Sequence, residues 1–297
     1  MQKILIVGSG DIARRVLSHL ARRYRVYAVL RDAGRAAEWR AAGARPLLAD
    51  LDDRASLQRL SGLADLVLHL APPPNQGRND TRTRNLLAAL GKSKSLPRRL
   101  VYVSTTGVYG DCGGAQIDET RRLDPQSPRA ARRVDAECRL RDWGQRNGVA
   151  VSILRAPGIY ASDRLPIERL NQALPALNQA DDVFTNHIHA DDLAAACIAA
   201  LGRGPANRVY NAVDDSDLRM ADYFDRVAAA FGLANPPRIS RGAAEKLLSP
   251  IQMSFMRESR RIGNRRLKKE LKLRLAYPTV DAGIAAAVRS RRNACSS

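Results

Sequence analysis

The sequence is poor in the residues that hold small extracellular folds or membrane spans together. Its four cysteines, Cys112, Cys138, Cys197 and Cys295, have no metal-type spacing. They are therefore expected to be free thiols in a reducing compartment. No run of about 18 apolar residues occurs, which argues against a membrane-spanning helix. The first residues show no signal-peptide pattern, and a cytoplasmic location is expected.

Lysine and aromatic residues are scarce as well. Only 7 of the 49 basic residues are lysine, and aromatic residues make up 5% of the chain. The formal net charge of +19 is typical of nucleic-acid binding. The basic residues are spread over many predicted helices, however, and few aromatic side chains are available to stack on bases. We therefore expect no nucleic-acid partner, and we expect the basic run 257–274 to be a solvated face, with an anion site as the open alternative.

The first 160 residues alternate short apolar runs with longer helical patterns. Runs of four to six residues with little internal charge suit strands that are buried on both faces of a parallel sheet. They lie at residues 3–7, 25–30, 45–49, 65–70, 99–103 and 149–154. The alternation predicts an α/β fold with a doubly wound parallel sheet, a Rossmann domain, over residues 1–160.

The second half has a different pattern. Helices are predicted at residues 164–180, 190–201, 220–231 and 243–256, and short strands near Val183 and Val209. We interpret residues 161–297 as a smaller mixed lobe that covers the substrate and is intertwined with the end of the sheet.

A glycine-rich turn follows the first predicted strand. Gly8, Gly10 and Ala13 form the pattern GxGxxA at the start of a predicted helix. Small residues there permit a tight turn, the approach of a pyrophosphate and close packing of the helix on the strand. The first N–H groups of the helix, at Asp11 and Ile12, then face the phosphates. This arrangement predicts a site for a nicotinamide dinucleotide.

The ends of the second and third runs bear on the choice of cofactor. Arg31 and Asp32 end the second run, about 20 residues after the glycines, where the residue that contacts the ribose is expected. An arginine favours the 2′-phosphate, so we expect NADP, with NAD left open. Asp50 ends the third run and is a candidate acceptor for the adenine amino group, or else the N-cap of the next helix.

Several further motifs accompany the glycine turn. They are Ala49-Asp50-Leu51, His69-Leu70-Ala71-Pro72, Val101-Tyr-Val-Ser104-Thr105-Thr106-Gly107-Val108-Tyr109-Gly110, Leu154-Arg155-Ala156-Pro157-Gly158 and Ile188-His189-Ala190-Asp191-Asp192. With them, the chain resembles the short-chain dehydrogenase/reductase superfamily, in particular its extended and atypical members, the NAD-dependent epimerase/dehydratases. The resemblance covers nearly the whole chain.

This resemblance implies a hydride-transfer site at the carboxyl ends of the strands. Thr105 would hold the substrate oxygen, with Ser104 and Thr106 as neighbours that share the role. Asn79 would support the active site. The residues expected to line the cofactor are Leu51, Leu70, Ala71, Pro72, Pro157 and Gly158.

The family's Tyr-x-x-x-Lys acid–base motif is absent. No tyrosine lies between Gly110 and Ile159, and no lysine between Ser95 and Glu245. Alignment on the residues that follow places Arg129 at the tyrosine position and Arg133 at the lysine position. Arg133 would still grip the ribose of the cofactor, but a guanidinium keeps its protons in proteins.

Another group must therefore exchange the proton, unless no chemistry occurs. Each candidate has a structural alternative, since each also fits a packed or solvated position. The candidates are Tyr109, Tyr160, His187, His189, Asp118 and Glu119.

Two functions remain open from the sequence. The first is an NAD(P)-dependent oxidoreductase or epimerase/dehydratase-like enzyme that acts on a carbonyl, hydroxyl or sugar-nucleotide substrate. The alternative is a non-catalytic NADP(H)-binding sensor or scaffold. We expect a small-molecule substrate and no metal. The family also allows a homodimer, formed through the helices after the fourth and fifth strands.

Overall fold

Strands and helices alternate through the first half of the chain, as the apolar runs predict. The structure is a computed structural model that describes residues 1–295. Strands up to residue 160 are β1 (Lys3–Val7), β2 (Arg25–Leu30), β3 (Ala44–Leu48), β4 (Leu66–His69), β5 (Arg99–Thr105), β6 (Gln116–Ile117), β7 (Ala150–Ala156) and β8 (Gly158–Tyr160). Helices there are α1 (Asp11–Leu20), α2 (Ala36–Ala41), α3 (Thr81–Leu90) and α4 (Pro128–Asn147).

Short strands and seven helices make up the described part of the second half. The strands are β9 (Ala176–Leu177), β10 (Phe184–Thr185), β11 (His187–His189), β12 (Arg208–Asn211), β13 (Leu218–Arg219), β14 (Arg238–Ile239) and β15 (Arg261–Ile262). The helices are α5 (Ile167–Asn171), α6 (Ala190–Arg203), α7 (Met220–Phe231), α8 (Arg241–Leu247), α9 (Pro250–Phe255), α10 (Arg265–Glu270) and α11 (Val280–Cys295).

Seven strands form one wholly parallel sheet in the order β12-β7-β5-β4-β1-β2-β3. The chain builds outward from β1 to β3 and then crosses back to β4 on the other side of β1. Ligands of doubly wound folds bind at this reversal, outside the carboxyl ends of the strands. The fold prediction is confirmed. Because β12 comes from the second half, the sheet runs across residue 160, and a domain boundary there stays a prediction.

Helices cover both faces of this sheet, which explains why its strands are apolar throughout. In β1, Ile4 and Ile6 pack in the core formed with α1 and α6, whereas Leu5 and Val7 pack in the core formed with α3 and α4. All four side chains are fully buried. A polar residue at any of these positions would lie in a core, so the absence of alternation in the sequence follows directly.

Two of the predicted helices are longer than the helices that the structure contains. The helix predicted at 164–180 is present only as α5, after which Ala173 takes a positive φ of 50° and β9 begins at Ala176. Pro175 accounts for this, because proline has no N–H to donate and disfavours helical backbone in the residue before it.

The predicted helix 243–256 is likewise two helices, α8 and α9. Ser249 is extended, with a ψ of 155°, and precedes Pro250 at the first turn of α9. Ser249 and Gln252 form a capping box that starts this second helix. The Ser-Pro pair therefore breaks the apolar pattern into two helices.

A separate core holds the second half together. It is built from α5, α7, α8, α9, α11 and the ends of β8 and β9, and its buried side chains include Tyr160, Leu170, Tyr223, Val227 and Ile284. Four pairs of two- and three-residue strands stabilise this half. β10 with β13 and β14 with β9 join segments within it, whereas β11 with β8 and β15 with β6 connect it to the segments that follow β7 and β5. The lobe therefore stands over the carboxyl end of the sheet.

Candidate functional site

The glycine turn after β1 lies directly against the turn after β4. Gly8 has a φ of 101°, and a Cβ there would lie 2.4 Å from the backbone nitrogen of Ala71. The N–H groups of Leu70 and Ala71 both donate to the Val7 carbonyl, at 2.7 and 3.0 Å. Only glycine fits at position 8, and the two turns together form the floor of a groove.

Helix α1 begins at this groove without a side-chain cap. Gly10 is its N-cap, and a Cβ on Gly10 would meet nothing within 4 Å. The first N–H groups of α1, at Asp11, Ile12 and Ala13, are therefore available to a ligand. The Asp11 carboxylate is held by ion pairs with Arg15 at 2.8 Å and Arg164 at 3.3 Å.

A groove of about 460 Å³ extends from α1 over the ends of β2 and β3. We call it the nucleotide groove. It is lined by Val7, Gly8, Ser9, Gly10, Val29, Arg31, Asp32, Arg35, Ala49, Asp50, Leu51, Leu70, Ala71, Pro72 and Arg82. The predicted cofactor residues Arg31, Asp50, Leu51, Leu70, Ala71 and Pro72 all lie along it.

Two arginines stand where β2 ends in the nucleotide groove. Arg31 is exposed, and the Arg35 guanidinium donates to the Ser9 carbonyl at 3.0 Å. The carboxylate of Asp32 accepts from the Gly34 N–H at 2.8 Å and so caps its own turn. Sequence reasoning missed Arg35, since nothing in the pattern distinguishes it from the other surface arginines of the region.

The far wall of the nucleotide groove is fixed by Asp50 and Arg82. The Asp50 carboxylate accepts from the Asp52 N–H at 2.9 Å, so it caps the turn after β3 and does not cap a helix. Arg82 forms an ion pair with Asp52 at 2.6 Å, and its hydrogen bonds lower the Asp52 pKa. Arg82 was also missed, because it comes from α3, some 30 residues further along the chain.

A second, smaller groove of about 200 Å³ continues from the start of α1 toward β5. We call it the inner groove. It shares Gly10 and Leu70 with the nucleotide groove, so the two are contiguous. Its lining is Gly10, Asp11, Ile12, Ala13, Leu70, Val103, Ser104, Thr105, Arg129, Arg133, Ala156, Pro157, Ile159 and Arg164.

The inner groove opens into a cavity of about 460 Å³ beneath the second lobe, which we call the large pocket. Thr105, Arg129, Pro157, Ile159 and Arg164 line both spaces. Gly158, predicted to contact the cofactor, lines the large pocket and not the two grooves. Asn79 is exposed and lines none of the three. Its predicted supporting role has no counterpart in the geometry.

Ser104 and Thr105 differ in what their hydroxyls do. Ser104 is 3% exposed, and its hydroxyl donates to Glu137 Oε1 at 2.6 Å. Thr105 Oγ1 accepts from the Gly107 N–H at 3.2 Å, which leaves its own hydrogen free to donate. Thr105 is therefore the hydroxyl that can serve a substrate oxygen, and the predicted share of Ser104 is corrected to a structural one.

Tyr109 lies in a buried network behind β5. It is 1% exposed, its hydroxyl donates to Asn211 Oδ1 at 2.7 Å, and it accepts from the Arg155 guanidinium at 2.8 Å. Arg155 in turn forms a buried ion pair with Glu137 at 2.7 Å. Burial raises the pKa of Tyr109. Because Tyr109 reaches neither groove nor pocket, the prediction of a catalytic role for it is not kept.

Arg133 is tied to β5 from α4. Its guanidinium donates to the Val103 carbonyl and to the Tyr102 hydroxyl, both at 2.8 Å, while its Nε is buried without a hydrogen-bond partner among the described residues. It lines the inner groove, as expected of a ribose contact. Arg129, one turn earlier, lines both the inner groove and the large pocket, and burial and the Arg133 charge lower its pKa.

Most of the remaining acid–base candidates have structural partners. His189 Nδ1 accepts from the Asp191 N–H at 3.2 Å as the N-cap of α6. Glu119 accepts from the Asn211 N–H at 2.9 Å, and exposed Asp118 accepts from the Thr120 N–H at 2.8 Å. Of the original candidates, His187 and Tyr160 line the large pocket, together with Tyr223, which sequence reasoning missed.

A family model, the NAD dependent epimerase/dehydratase family, matches residues 4–212. The chain belongs to that family. The predicted resemblance is thus confirmed, and the glycine turn, the inner groove and Thr105 all lie within the matched region.

Among curated relatives, a ketoreductase from Stigmatella aurantiaca, which acts on a farnesylated quinoline oxide, is 26% identical over 253 residues, 78% of this chain and 74% of that protein. A trifunctional UDP-glucose 4,6-dehydratase of Arabidopsis thaliana is 25% identical over 148 residues. That match spans 46% of this chain and only 22% of the relative.

Solved structures resemble the whole chain. A protein of unknown function from Silicibacter pomeroyi is 27% identical, with a TM-score of 0.78 over 98% of this chain and 99% of that one. The dTDP-glucose 4,6-dehydratase of Bacillus anthracis, solved with NAD, has a TM-score of 0.78 at 16% identity over 99% and 97% of the two chains. At 16% identity, the similarity to the Bacillus anthracis protein shows a shared fold and nothing more.

A metal cluster and a membrane-spanning helix are both absent from residues 1–295, the part of the chain that the structure describes. No group of three or more histidine, cysteine, aspartate or glutamate side chains is placed to hold a metal ion among these described residues. No helix in the same range combines the length and apolar character that crossing a bilayer requires. Cys112, Cys138 and Cys197 are free thiols, and the side chain of Cys295 lies outside those described.

Proposed function

We propose that the chain is an NADP(H)-dependent oxidoreductase of the epimerase/dehydratase type, acting on a hydroxyl or carbonyl group of a small molecule. One observation carries the proposal. A continuous groove leads from Arg31 and Arg35, past the uncapped start of α1, to Thr105, where it opens into the large pocket. A cofactor in the groove and a substrate in the pocket would meet at Thr105.

The residues of the two grooves fit a nicotinamide dinucleotide. Gly10 leaves open space at the start of α1, where the pyrophosphate would accept N–H donors. The Arg133 Nε–H is a buried donor with no partner in the described chain, at the place where the resemblance puts the nicotinamide ribose. When bound, such a cofactor supplies or accepts a hydride, and the chain supplies the remaining chemistry.

The preference for NADP rests on the end of β2. Arg31 and Arg35 both line the nucleotide groove, so two guanidinium groups are available to a 2′-phosphate. The nearby carboxylate of Asp32 accepts from the backbone of its own turn, which competes with a bond to a ribose hydroxyl. Both features favour the phosphorylated cofactor.

Thr105 would orient the reacting oxygen. Its hydroxyl hydrogen is free to donate to a carbonyl or hydroxyl oxygen in the large pocket, since its oxygen already accepts from Gly107. Such a bond stabilises negative charge that develops on this oxygen during the reaction.

The wall of the large pocket favours an anionic substrate. Arg129, Arg164 and Arg169 line it, and the Glu258 carboxylate on the same wall is paired with Arg260 at 2.6 Å. Sugar nucleotides carry a diphosphate that suits such a wall, and the Arabidopsis and Bacillus proteins are named for reactions of UDP-glucose and dTDP-glucose. We therefore propose a sugar nucleotide or another anionic carbonyl compound as the substrate class.

The experiment compares Thr105→Ala with Thr105→Ser, which keeps the hydroxyl. NADPH binding is measured by fluorescence titration. Turnover is measured by nicotinamide absorbance, with NADP⁺ for UDP-glucose and dTDP-glucose and with NADPH for simple ketones. We expect both variants to bind NADPH and only Thr105→Ser to retain turnover. Wild type that binds NADPH but turns over none of the probes would instead favour the non-catalytic sensor.

A further inference from the structure

The large pocket contains few groups able to exchange a proton near neutral pH. The arginines on its wall keep their protons, and the Glu258 carboxylate is paired with Arg260. Three ring side chains on the described wall carry a group that can exchange a proton: Tyr160, His187 and Tyr223. They lie together, since the His187 ring centroid is 4.3 Å from that of Tyr223 and 6.2 Å from that of Tyr160.

The hydroxyl of Tyr160 already has a hydrogen-bond partner outside the pocket. Its hydroxyl donates to the Thr279 carbonyl at 3.1 Å. A Cβ built on Gly283 would lie 2.7 Å from the same hydroxyl, so the group points into the start of α11 and not into the pocket. Burial and the carboxyl of Asp214 raise the Tyr160 pKa further. Tyr160 therefore contributes the edge of its ring to the wall.

His187, in contrast, has a ring nitrogen without a partner among the described residues. It is 6% exposed, and its Nδ1 is buried without a hydrogen-bond partner among the described residues. A buried polar atom left unsatisfied is costly, so most such atoms in proteins have a partner. Because His187 lines the large pocket, a ligand bound there would supply such a partner. Burial lowers the His187 pKa to about 4, and the imidazole is neutral at neutral pH.

Strand register brings His187 to the pocket that Thr105 enters. Thr105 at the end of β5 pairs with Ala156 on β7, and Gly158, two residues later, begins β8. Gly158 pairs with His187 at the start of β11. Thr105 and His187 both line the large pocket, so a substrate bound there can lie close to both side chains.

We propose that His187 is the acid–base residue of this site and that Tyr223 positions its ring. The inference rests on the proposed function. In oxidation of a substrate hydroxyl, the O–H bond breaks and its proton passes to a ring nitrogen of His187, forming imidazolium. The C–H bond would give up its two electrons as a hydride, which a bound nicotinamide dinucleotide would accept, and the electrons of the O–H bond would complete the carbonyl. Imidazolium then loses the proton to water, and carbonyl reduction runs the same proton transfer in reverse.

The first test is kinetic. We expect His187→Gln to lower kcat by about 10²–10⁴-fold, the usual contribution of general acid–base catalysis, with NADPH affinity unchanged. The pH–rate limb that belongs to the imidazole should disappear. Tyr223→Leu removes the stacked ring and should lower kcat with NADPH affinity unchanged, whereas Tyr223→Phe, which keeps the ring, should restore most of the lost kcat. His19→Gln is the matched control, because His19 is exposed on α1. Circular dichroism confirms that each variant is folded.

The second test does not need turnover. Diethyl pyrocarbonate modifies neutral imidazole, and mass spectrometry reports each histidine separately. We expect UDP-glucose with NADP⁺ to slow modification of His187 and to leave His19 unchanged. A His187→Gln enzyme with wild-type kcat would overturn this inference and leave the proposed function intact. If wild type turns over no probe, the proposed function fails. If, in addition, His187 is modified at the same rate with and without UDP-glucose and NADP⁺, the inference is overturned as well.

Discussion

Ser104 donates its hydroxyl to Glu137 at 2.6 Å, and this bond separates its role from that of Thr105. Successive side chains on a strand point to opposite faces. At the end of β5, one hydroxyl therefore turns into the buried Glu137–Arg155 pair and the next turns into the inner groove. The Ser-Thr sequence joins a structural network to the candidate reaction site.

The Glu137–Arg155 pair should be important for stability. Both side chains are 2% exposed, so removal of one partner leaves a buried charge unpaired. We expect Arg155→Met to lower the free energy of unfolding by about 3–5 kcal/mol. Urea denaturation followed by circular dichroism measures it.

The control for Arg155 is Arg139→Met. Arg139 forms a more exposed ion pair with Asp135 one turn away on α4. Its loss should cost at most about 0.5 kcal/mol. Equal effects of the two substitutions would contradict a special role for the buried pair.

Gly10→Ala should separate cofactor binding from folding. A Cβ at position 10 meets no protein atom within 4 Å, so the fold should tolerate it, while the methyl group occupies space beside the proposed pyrophosphate. We expect weaker NADPH binding at unchanged Tm. In Gly8→Ala the Cβ would lie 2.4 Å from Ala71 N, so loss of stability is expected as well.

Gly202→Ala is the matched control for the glycine turn. Gly202 lies in α6, where a Cβ also meets nothing within 4 Å. Alanine favours a helix over glycine by about 1 kcal/mol, so this variant should be at least as stable as wild type and bind NADPH normally. A Gly10→Ala protein that binds NADPH like Gly202→Ala would argue against a pyrophosphate at α1.

Arg31→Ala and Arg35→Ala should change cofactor preference. A charge-assisted hydrogen bond contributes about 1.5–3 kcal/mol, so each substitution should weaken NADP(H) binding roughly ten- to hundredfold. NAD(H) binding should change far less. Arg40→Ala, an exposed arginine of α2 away from the groove, is the control. Equal losses for both cofactors in calorimetry would remove the two arginines from the 2′-phosphate role.

Asp214 should make stability depend on pH. Burial raises its pKa in the folded chain to about 7, against about 3.9 when unfolded. The folded state therefore keeps a proton that the unfolded state has lost, and this contribution to stability declines as pH rises toward 7. Asp214→Asn removes the effect. From pH 5 to pH 8, the free energy of unfolding of the Asp214→Asn protein should rise by roughly 2–3 kcal/mol relative to that of wild type. An equal change in the urea midpoint of the two proteins between pH 5 and pH 8 would contradict this prediction.

The sheet could be predicted from sequence because its signals are local. Each buried strand is a short apolar run with little internal charge, and at position 8 the glycine turn requires a backbone conformation that only glycine fits. The prediction of one helix over 164–180 was wrong because it followed the apolar spacing and did not take account of Pro175. Apart from β12, the strands of the second lobe have only two or three residues each, which is too short to leave a pattern in the sequence.

The site was less predictable than the fold, because side-chain direction depends on distant partners. Tyr109 sits in a motif next to Thr105, yet its hydroxyl is fixed by Asn211, about 100 residues later in the chain. Arg35 and Tyr223 carry no motif, and only the assembled grooves and pocket identify them. Thr105 was named because the family resemblance implies a hydroxyl there, and it lies at the end of β5, where the inner groove meets the large pocket.

Isothermal titration calorimetry of the purified chain with NADPH, NADP⁺, NADH and NAD⁺ tests the central claim most directly. The groove between α1 and the ends of β2 and β3 predicts saturable binding at one site per chain, tighter for NADPH than for NADH. Absence of a heat signal with all four dinucleotides at millimolar concentration would contradict it.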